Sequence, residues 1–313
     1  MKNFVFSLFI ALGAAFVFTA CEDTDNGESQ NIVEVAQSNP ELSTLVAAVQ
    51  RAGLVDELSG PGPLTVFAPT NQAFSDLLAA LGFANLEAVP VDVLTDVLLN
   101  HVVGAEVKSG DLTTGYVETL LAYGSTTSYI NNYVDLTSGV KIGGSTVTTA
   151  DVEASNGVIH IINKVIVPPT VVNQALNNPN FSSLVAALTR PDLGVDYVTL
   201  LSGTGPFTVF APTNAAFTAL LTELGVGSLN DIPADVLNKV LQYHVVSGAN
   251  VRSTQLTDEQ EVTTFGGQKF TIDLTGGAKI KDAAGRTSNI IATDVQGSNG
   301  VVHAIDKVLL PQL

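Results

Sequence analysis

The chain writes one ten-residue phrase twice, "TVFAPTNQAF" over Thr65–Phe74 and "TVFAPTNAAF" over Thr208–Phe217, 143 positions apart with one substitution. The duplication extends well beyond the phrase. "NPELSTLVAAV" from Asn39 is answered by "NPNFSSLVAAL" from Asn178, and "VPVDVLTDVLLNHVVG" from Val89 by "IPADVLNKVLQYHVVSG" from Ile232. "SNGVIHIINKVIVPP" from Ser155 returns as "SNGVVHAIDKVLLPQ" from Ser298. A period of about 140 residues lies far above the 20–50 of stacked solenoid units, so each copy is a whole domain.

The residue types within each copy specify its elements. "PLTVFAP" is a short strand of β-formers closed by Pro69. Thr70 or Asn71 then offers an N-cap oxygen, Phe74, Leu77, Leu78 and Leu81 recur at helical spacing, and Gly82 stops the helix. Copy two repeats these devices with Thr213 or Asn214, then Phe217, Leu220, Leu221, Leu224 and Gly225. A second helix starts at Pro90 or Pro233 and aligns Leu94, Val97, Leu98 and His101, or Leu237, Val240, Leu241 and His244. Each copy closes on a strand opened by an Asn-Gly turn. Helices followed by several short strands make an α+β pattern. The expected organisation is a signal peptide over 1–20, a polar tether over 21–30, domain one over 31–167 and domain two over 168–313. The linker is only Pro168-Pro169, short and stiff, which predicts a fairly fixed relative orientation.

The start, "MKNFVFSLFIALGAAFVFTAC", has a basic residue, an apolar run and small residues before Cys21, the pattern of a secretory signal. "FTAC" resembles a bacterial lipobox, with Phe18 where Leu is favoured, which would make Cys21 a lipidated first residue and membrane anchor. The alternative, a membrane-spanning signal anchor, is disfavoured because the chain turns polar at once with "EDTDNGESQ" and shows no basic flank. With one cysteine there is no internal disulfide. The net charge of −17, from 30 acidic and 13 basic residues, argues against nucleic-acid binding. Tryptophan is absent and aromatics make up 6%, leaving little material for a deep stacking platform.

With these motifs in view, the chain resembles a tandem pair of fasciclin domains. The signature segments are "TVFAPTNQAF" and "TVFAPTNAAF", the two His-containing segments, and "NGVIHIINKVIVPP" and "NGVVHAIDKVLLPQ". The resemblance implies a wedge-like β-sandwich with helices packed along one side in each copy. It implies a non-enzymatic role in adhesion or extracellular binding to a protein or polysaccharide, and no cofactor. Together with Cys21 it suggests a lipid-anchored protein of the bacterial envelope, at the outer membrane and exposed at the cell surface. The rival reading is a periplasm-facing scaffold with no adhesive role.

The search for chemistry returns little. His101, His244, His160 and His303 occupy two equivalent positions within apolar helix or strand patterns, and they are read as core residues rather than metal ligands or bases. No histidine or cysteine cluster has metal spacing, and "EDTDNGE" is read as a tether rather than a calcium loop. The family's adhesive segment often carries Tyr-His with an Asp-Ile pair ahead of it. Here Tyr243-His244 and Asp231-Ile232 keep both, so the resemblance marks copy two as the better contact candidate, with simple helix packing as the competing explanation. One further candidate comes from the residues alone. In "SYINNYVDL", strand alternation places Tyr129, Asn131 and Tyr133 on one face and Ile130 and Val134 on the other. Copy two has Phe270 and Ile272 on the inner face, so the tyrosine face is expected to point outward as a shallow surface for a glycan or a protein loop, unless it is ordinary cross-strand pairing.

Overall fold

The computed structural model describes residues 29–313, so the signal segment and Cys21 lie outside the described residues. Domain one runs α1 (Ile32–Ser38), α2 (Ser43–Ala52), α3 (Val55–Ser59), β1 (Leu64–Pro69), α4 (Asn71–Leu81) and α5 (Val91–Leu99). Its strands continue with β2 (Val102–Val103), β3 (Gly115–Ala122), β4 (Tyr129–Asp135), β5 (Lys141–Ile142), β6 (Ser145–Ala154) and β7 (Gly157–Ile162). Domain two repeats the order as α6 (Val171–Asn177), α7 (Ser182–Leu188), α8 (Tyr197–Ser202), β8 (Phe207–Pro212), α9 (Asn214–Leu224) and α10 (Ala234–Tyr243). Then come β9 (Val245–Ser247), β10 (Glu261–Thr263), β11 (Lys269–Asp273), β12 (Lys279–Lys281), β13 (Thr287–Gly297) and β14 (Gly300–Ile305).

Each domain is an α+β unit built on one seven-stranded order, β2-β1-β7-β6-β5-β4-β3 and its counterpart β9-β8-β14-β13-β12-β11-β10. The two layers of the sandwich thus belong to one continuous ladder that folds over on itself. The central pair β1 and β7 is parallel, with Val66 opposite Ile159, and is buried on both faces as such pairs require. Val66 and Ala68 pack with Leu45 and Leu98 under the helices, while Phe67 points the other way, onto Val134 and Ile142. Phe67 meets β4, four places away in the ladder, only because β6 bends. That strand pairs with β5 through Ser145 and Thr146 and with β7 from Val147 onward, with register shifts between Val147 and Val152. Phe210 with Ile272 and Ile280 repeats the arrangement in domain two.

The repeated phrase is a joint between two helices. Thr70 caps its own helix, accepting from the Ala73 N–H at 3.3 Å. Asn71 reaches to the neighbouring helix, its Oδ1 accepting from the Thr44 N–H at 2.8 Å and its Nδ2 donating to the Pro40 carbonyl at 2.9 Å. Thr213 and Asn214 do the same to Ala216, Ser183 and Pro179. The sequence pattern overextends each helix stripe by one residue: Leu81 and Leu224 are 55% and 47% exposed, so the last helical turn lies outside the core.

The Asn-Gly corner is a second joint. Asn156 Oδ1 accepts from the Ile32 N–H, and its Nδ2 donates to the Leu58 and Gly60 carbonyls, tying α1 and α3 to the sheet. A Cβ on Gly157 would sit 1.9 Å from the Leu64 carbonyl oxygen, so only glycine fits. Beside this corner the Ser155 N–H donates to the Gln30 carbonyl, and in copy two the Ser298 N–H donates to the Pro169 carbonyl of the linker.

Candidate binding surface

All four histidines are committed to backbone. His101 Nδ1 donates to the Val97 carbonyl at 2.6 Å and its Nε2 accepts from the Ile166 N–H at 2.8 Å; His244 repeats this with Val240 and Leu309. Burial pushes both rings down to about 4, against the raising effect of the carbonyl bond, so they are neutral wedges between helix and C-terminal segment. His160 and His303 join the Val107 and Val251 carbonyls to the Asp151 and Asp294 N–H groups and stack on Phe67 and Phe210. Burial also lowers His303. Among the described residues no group of three or more His, Cys, Asp or Glu could hold a metal ion, and no helix is long and apolar enough to cross a membrane.

The Tyr-His segment does not form an accessible contact. Tyr243 is 1% exposed; its hydroxyl donates to the Lys269 carbonyl at 2.7 Å and accepts from the Ala283 N–H at 3.0 Å. Burial pushes this phenol up to about 12. Ile232 is 4% exposed, and Asp231 spends its carboxylate on Gly227 and Ser228 of its own turn. Tyr243 packs into the sandwich core with Phe270 and Ile272, Ile232 into the helical core, and Asp231 stays exposed on its own turn. Copy one does this differently. Asn100 replaces Tyr243 and Asn132 replaces Phe270; Asn132 Nδ2 donates to the Asn100 carbonyl and Asn100 Nδ2 to the Ile166 carbonyl. The loop that carries Ala283 shrinks to Gly143-Gly144, whose φ values of 54° and 79° make a tight hairpin turn.

The tyrosine face does point away from its own domain, yet most of it is covered by domain two, which removes it as a free surface. Tyr133 is 5% exposed and packs edge-on to Tyr116, whose ring lies against the helical core of domain two. The Tyr116 hydroxyl accepts from Asn178 Nδ2 at 3.0 Å, and burial pushes it up to about 12. Asn131 Oδ1 accepts from the Gln296 N–H at 2.8 Å, and its carbonyl accepts from Gln174 Nε2 at 2.7 Å. The trimmed Gly143-Gly144 turn allows this approach: a Cβ on Gly144 would lie 3.0 Å from Asn177 Oδ1. The sequence marks Tyr116 only as one of four tyrosines in the middle of copy one and assigns no contact role to it, Gln174, Asn178 or Gln296.

Tyr129 alone of the three remains exposed, at 39%. It borders an open groove of about 470 Å³ where the two ends of the domain-one ladder, β2 and β3, lie alongside each other. Val103, Gly104 and Ala105 line one side, Val117, Glu118 and Leu120 the other. The wall is a hairpin peculiar to copy one. Thr119 and Thr264 are equivalent, each bonding across its hairpin to the carbonyl of Ile130 or Gln268, but ten residues separate the first pair and three the second. Copy two has only "FGG" there, and that surplus is the sequence signal that marks the groove.

The fasciclin domain model matches the chain twice, over residues 40–168 and 179–311. Protein sll1483 of Synechocystis is 43% identical over 141 residues, 45% of this chain and 75% of that protein. Transforming growth factor-beta-induced protein ig-h3 of Sus scrofa is 30% identical over 261 residues, 82% of this chain but only 36% of the relative's length. Among solved structures, a FAS1 domain pair from the insect cell adhesion molecule fasciclin I aligns with a TM-score of 0.51 at 19% identity, covering 87% of this chain and 98% of that one, a likeness of fold. Two successive whole-domain matches on two copies of one fold place the chain in the fasciclin domain family, as a tandem pair.

Proposed function

We propose that the protein is an extracellular, lipid-anchored adhesion protein that binds a protein or polysaccharide through domain one, and that it performs no catalysis. The observation that carries this reading is the domain-one groove, which presents exposed Tyr129 and Leu120 beside the Glu118 carboxylate. An aromatic body, an aliphatic wall and a hydroxyl-accepting acid are the materials of a shallow recognition surface. The same domain-pair fold occurs in the insect cell adhesion molecule fasciclin I, which is in keeping with an adhesive role. The histidines, each bonded through both ring nitrogens, leave no free base or ligand among them, in keeping with binding rather than turnover.

The test has two arms. Antibody access on intact cells, with Cys21→Ser as control, reports location; access that depends on Cys21 supports the anchored surface protein, and protection until the outer layer is broken refutes it in favour of an envelope scaffold. Arrays of matrix proteins and polysaccharides probed with the wild type and Tyr129→Ala report the surface. Signals lost in the variant support the groove, and an unchanged pattern with an intact fold removes it.

A further inference from the structure

The two domains dock through a set of residues that each copy holds in only one half. The domain-one side is Tyr116, Asn131 and Tyr133, and the domain-two side is Gln174, Asn178 and Gln296. Because the copies are structurally equivalent, the same positions recur on the two outer faces. The register pairs Tyr116 with Tyr133 in copy one and Glu261 with Thr271 in copy two, and Asn131 corresponds to Lys269. On the other outer face, Val35 stands for Gln174 and Glu153 for Gln296, while Asn39 still matches Asn178.

Three of the five substitutions bring in a charge, Glu261, Lys269 and Glu153, and the other two, Thr271 and Val35, remove a phenol and an amide. The docked faces are uncharged and largely buried, with Gln174 and Gln296 both 0% exposed. Each outer face instead carries an exposed ion pair, Lys269–Glu261 on domain two and Lys108–Glu153 on domain one, both at 2.7 Å. Stacking a further domain on either end would take those charges out of water without the amide and phenol bonds that join the docked faces. The loop over 282–286 adds bulk where domain one has only Gly143-Gly144 to let Asn177 approach. A head-to-tail contact of this kind propagates into a filament unless something ends it.

We propose that the tyrosine face of domain one and the Gln174–Gln296 face of domain two form a directional docking code that occurs once and is ended on both sides by charge, so that the protein is a rigid pair that does not extend itself. The pairing fixes where the domain-one groove points relative to domain two, and it stands whether or not that groove binds the proposed ligands.

X-ray scattering and sedimentation of the mature chain across a wide concentration range test it. The wild type is expected to stay monomeric with one compact radius of gyration. Asn131→Lys with Tyr133→Thr, which installs the domain-two residues, is expected to raise the radius of gyration while circular dichroism stays unchanged. If the double variant does not fold, Asn131→Lys alone, at a half-buried position, reads the same contact. Glu153→Gln, on the outer face, is the control expected to leave the radius unchanged. Concentration-dependent head-to-tail association of the wild type, or an unchanged radius in the folded variants, overturns the proposal.

Discussion

Asn71 Oδ1 lies 2.8 Å from the backbone nitrogen of Thr44, and Asn214 stands at the same 2.8 Å from the nitrogen of Ser183. A side chain from one helix thus caps the start of another, in both domains, while its threonine neighbour caps its own. Replacing Asn71 by Ala leaves the Thr44 N–H and the Pro40 carbonyl without these partners and is expected to cost about 1–3 kcal/mol. Thr70→Ala loses one cap, at about 1 kcal/mol. Urea denaturation of both variants, and of the Asn214 and Thr213 equivalents, checks the ranking; an asparagine variant no weaker than its threonine neighbour contradicts it.

Acid should weaken the fold through two rings. His101 and His244 are held down to about 4 in the folded protein, against 6.5 for the unperturbed group. The unfolded chain therefore binds more protons between these values, so stability is full above about 6.5 and falls as the pH drops toward 4. Each ring accounts for about 3 kcal/mol across that window. A stability profile measured from pH 7 to 4 that stays flat contradicts the prediction.

The helical core of domain one is looser than its twin. An apolar cavity of about 30 Å³ lies beside Val49, where domain two has Leu188 and a cavity of about 10 Å³. Val49→Leu adds one methylene to a dry space and is expected to stabilise by about 0.8 kcal/mol. A lowered thermal midpoint would mean that the surrounding side chains cannot admit it.

Tyr243 acts by holding a loop. Tyr243→Phe removes the bonds to the Lys269 carbonyl and the Ala283 N–H and is expected to cost about 1–3 kcal/mol, with faster proteolysis at 282–286. Asn100→Tyr in domain one does not gain that amount, because Gly143-Gly144 provides no counterpart to Ala283. Equal susceptibility of wild type and Tyr243→Phe to limited proteolysis would contradict the loop-holding role.

Much of this architecture was legible because its determinants are local. The threonine cap lies three residues from the Ala73 N–H it serves, and each helix-end histidine four residues from the Val97 or Val240 carbonyl, whereas the long-range bonds of Asn156 and of the second histidine nitrogens are visible only in the fold. Strand alternation likewise separated the face of Tyr129, Asn131 and Tyr133 from that of Ile130 and Val134. Period-two patterning reports which side of its own domain a residue faces, and says nothing about a second domain arriving to cover it. The groups that cover Asn131 come from Gln174 and Gln296, 43 and 165 positions away, and no periodicity links them. Tyr243 illustrates the opposite limit: a family motif marked the position, but whether its phenol turns in or out depends on a loop forty residues downstream.

The bond between Gln30 and Ser155 and its repeat between Pro169 and Ser298 have a mechanical consequence. Tension applied to the chain ahead of either domain is shared at once with the Asn-Gly corner, and so with the parallel strands at the centre of the sheet. A pull on that chain therefore bears on the β6–β7 or β13–β14 hairpin as well as on α1 or α6.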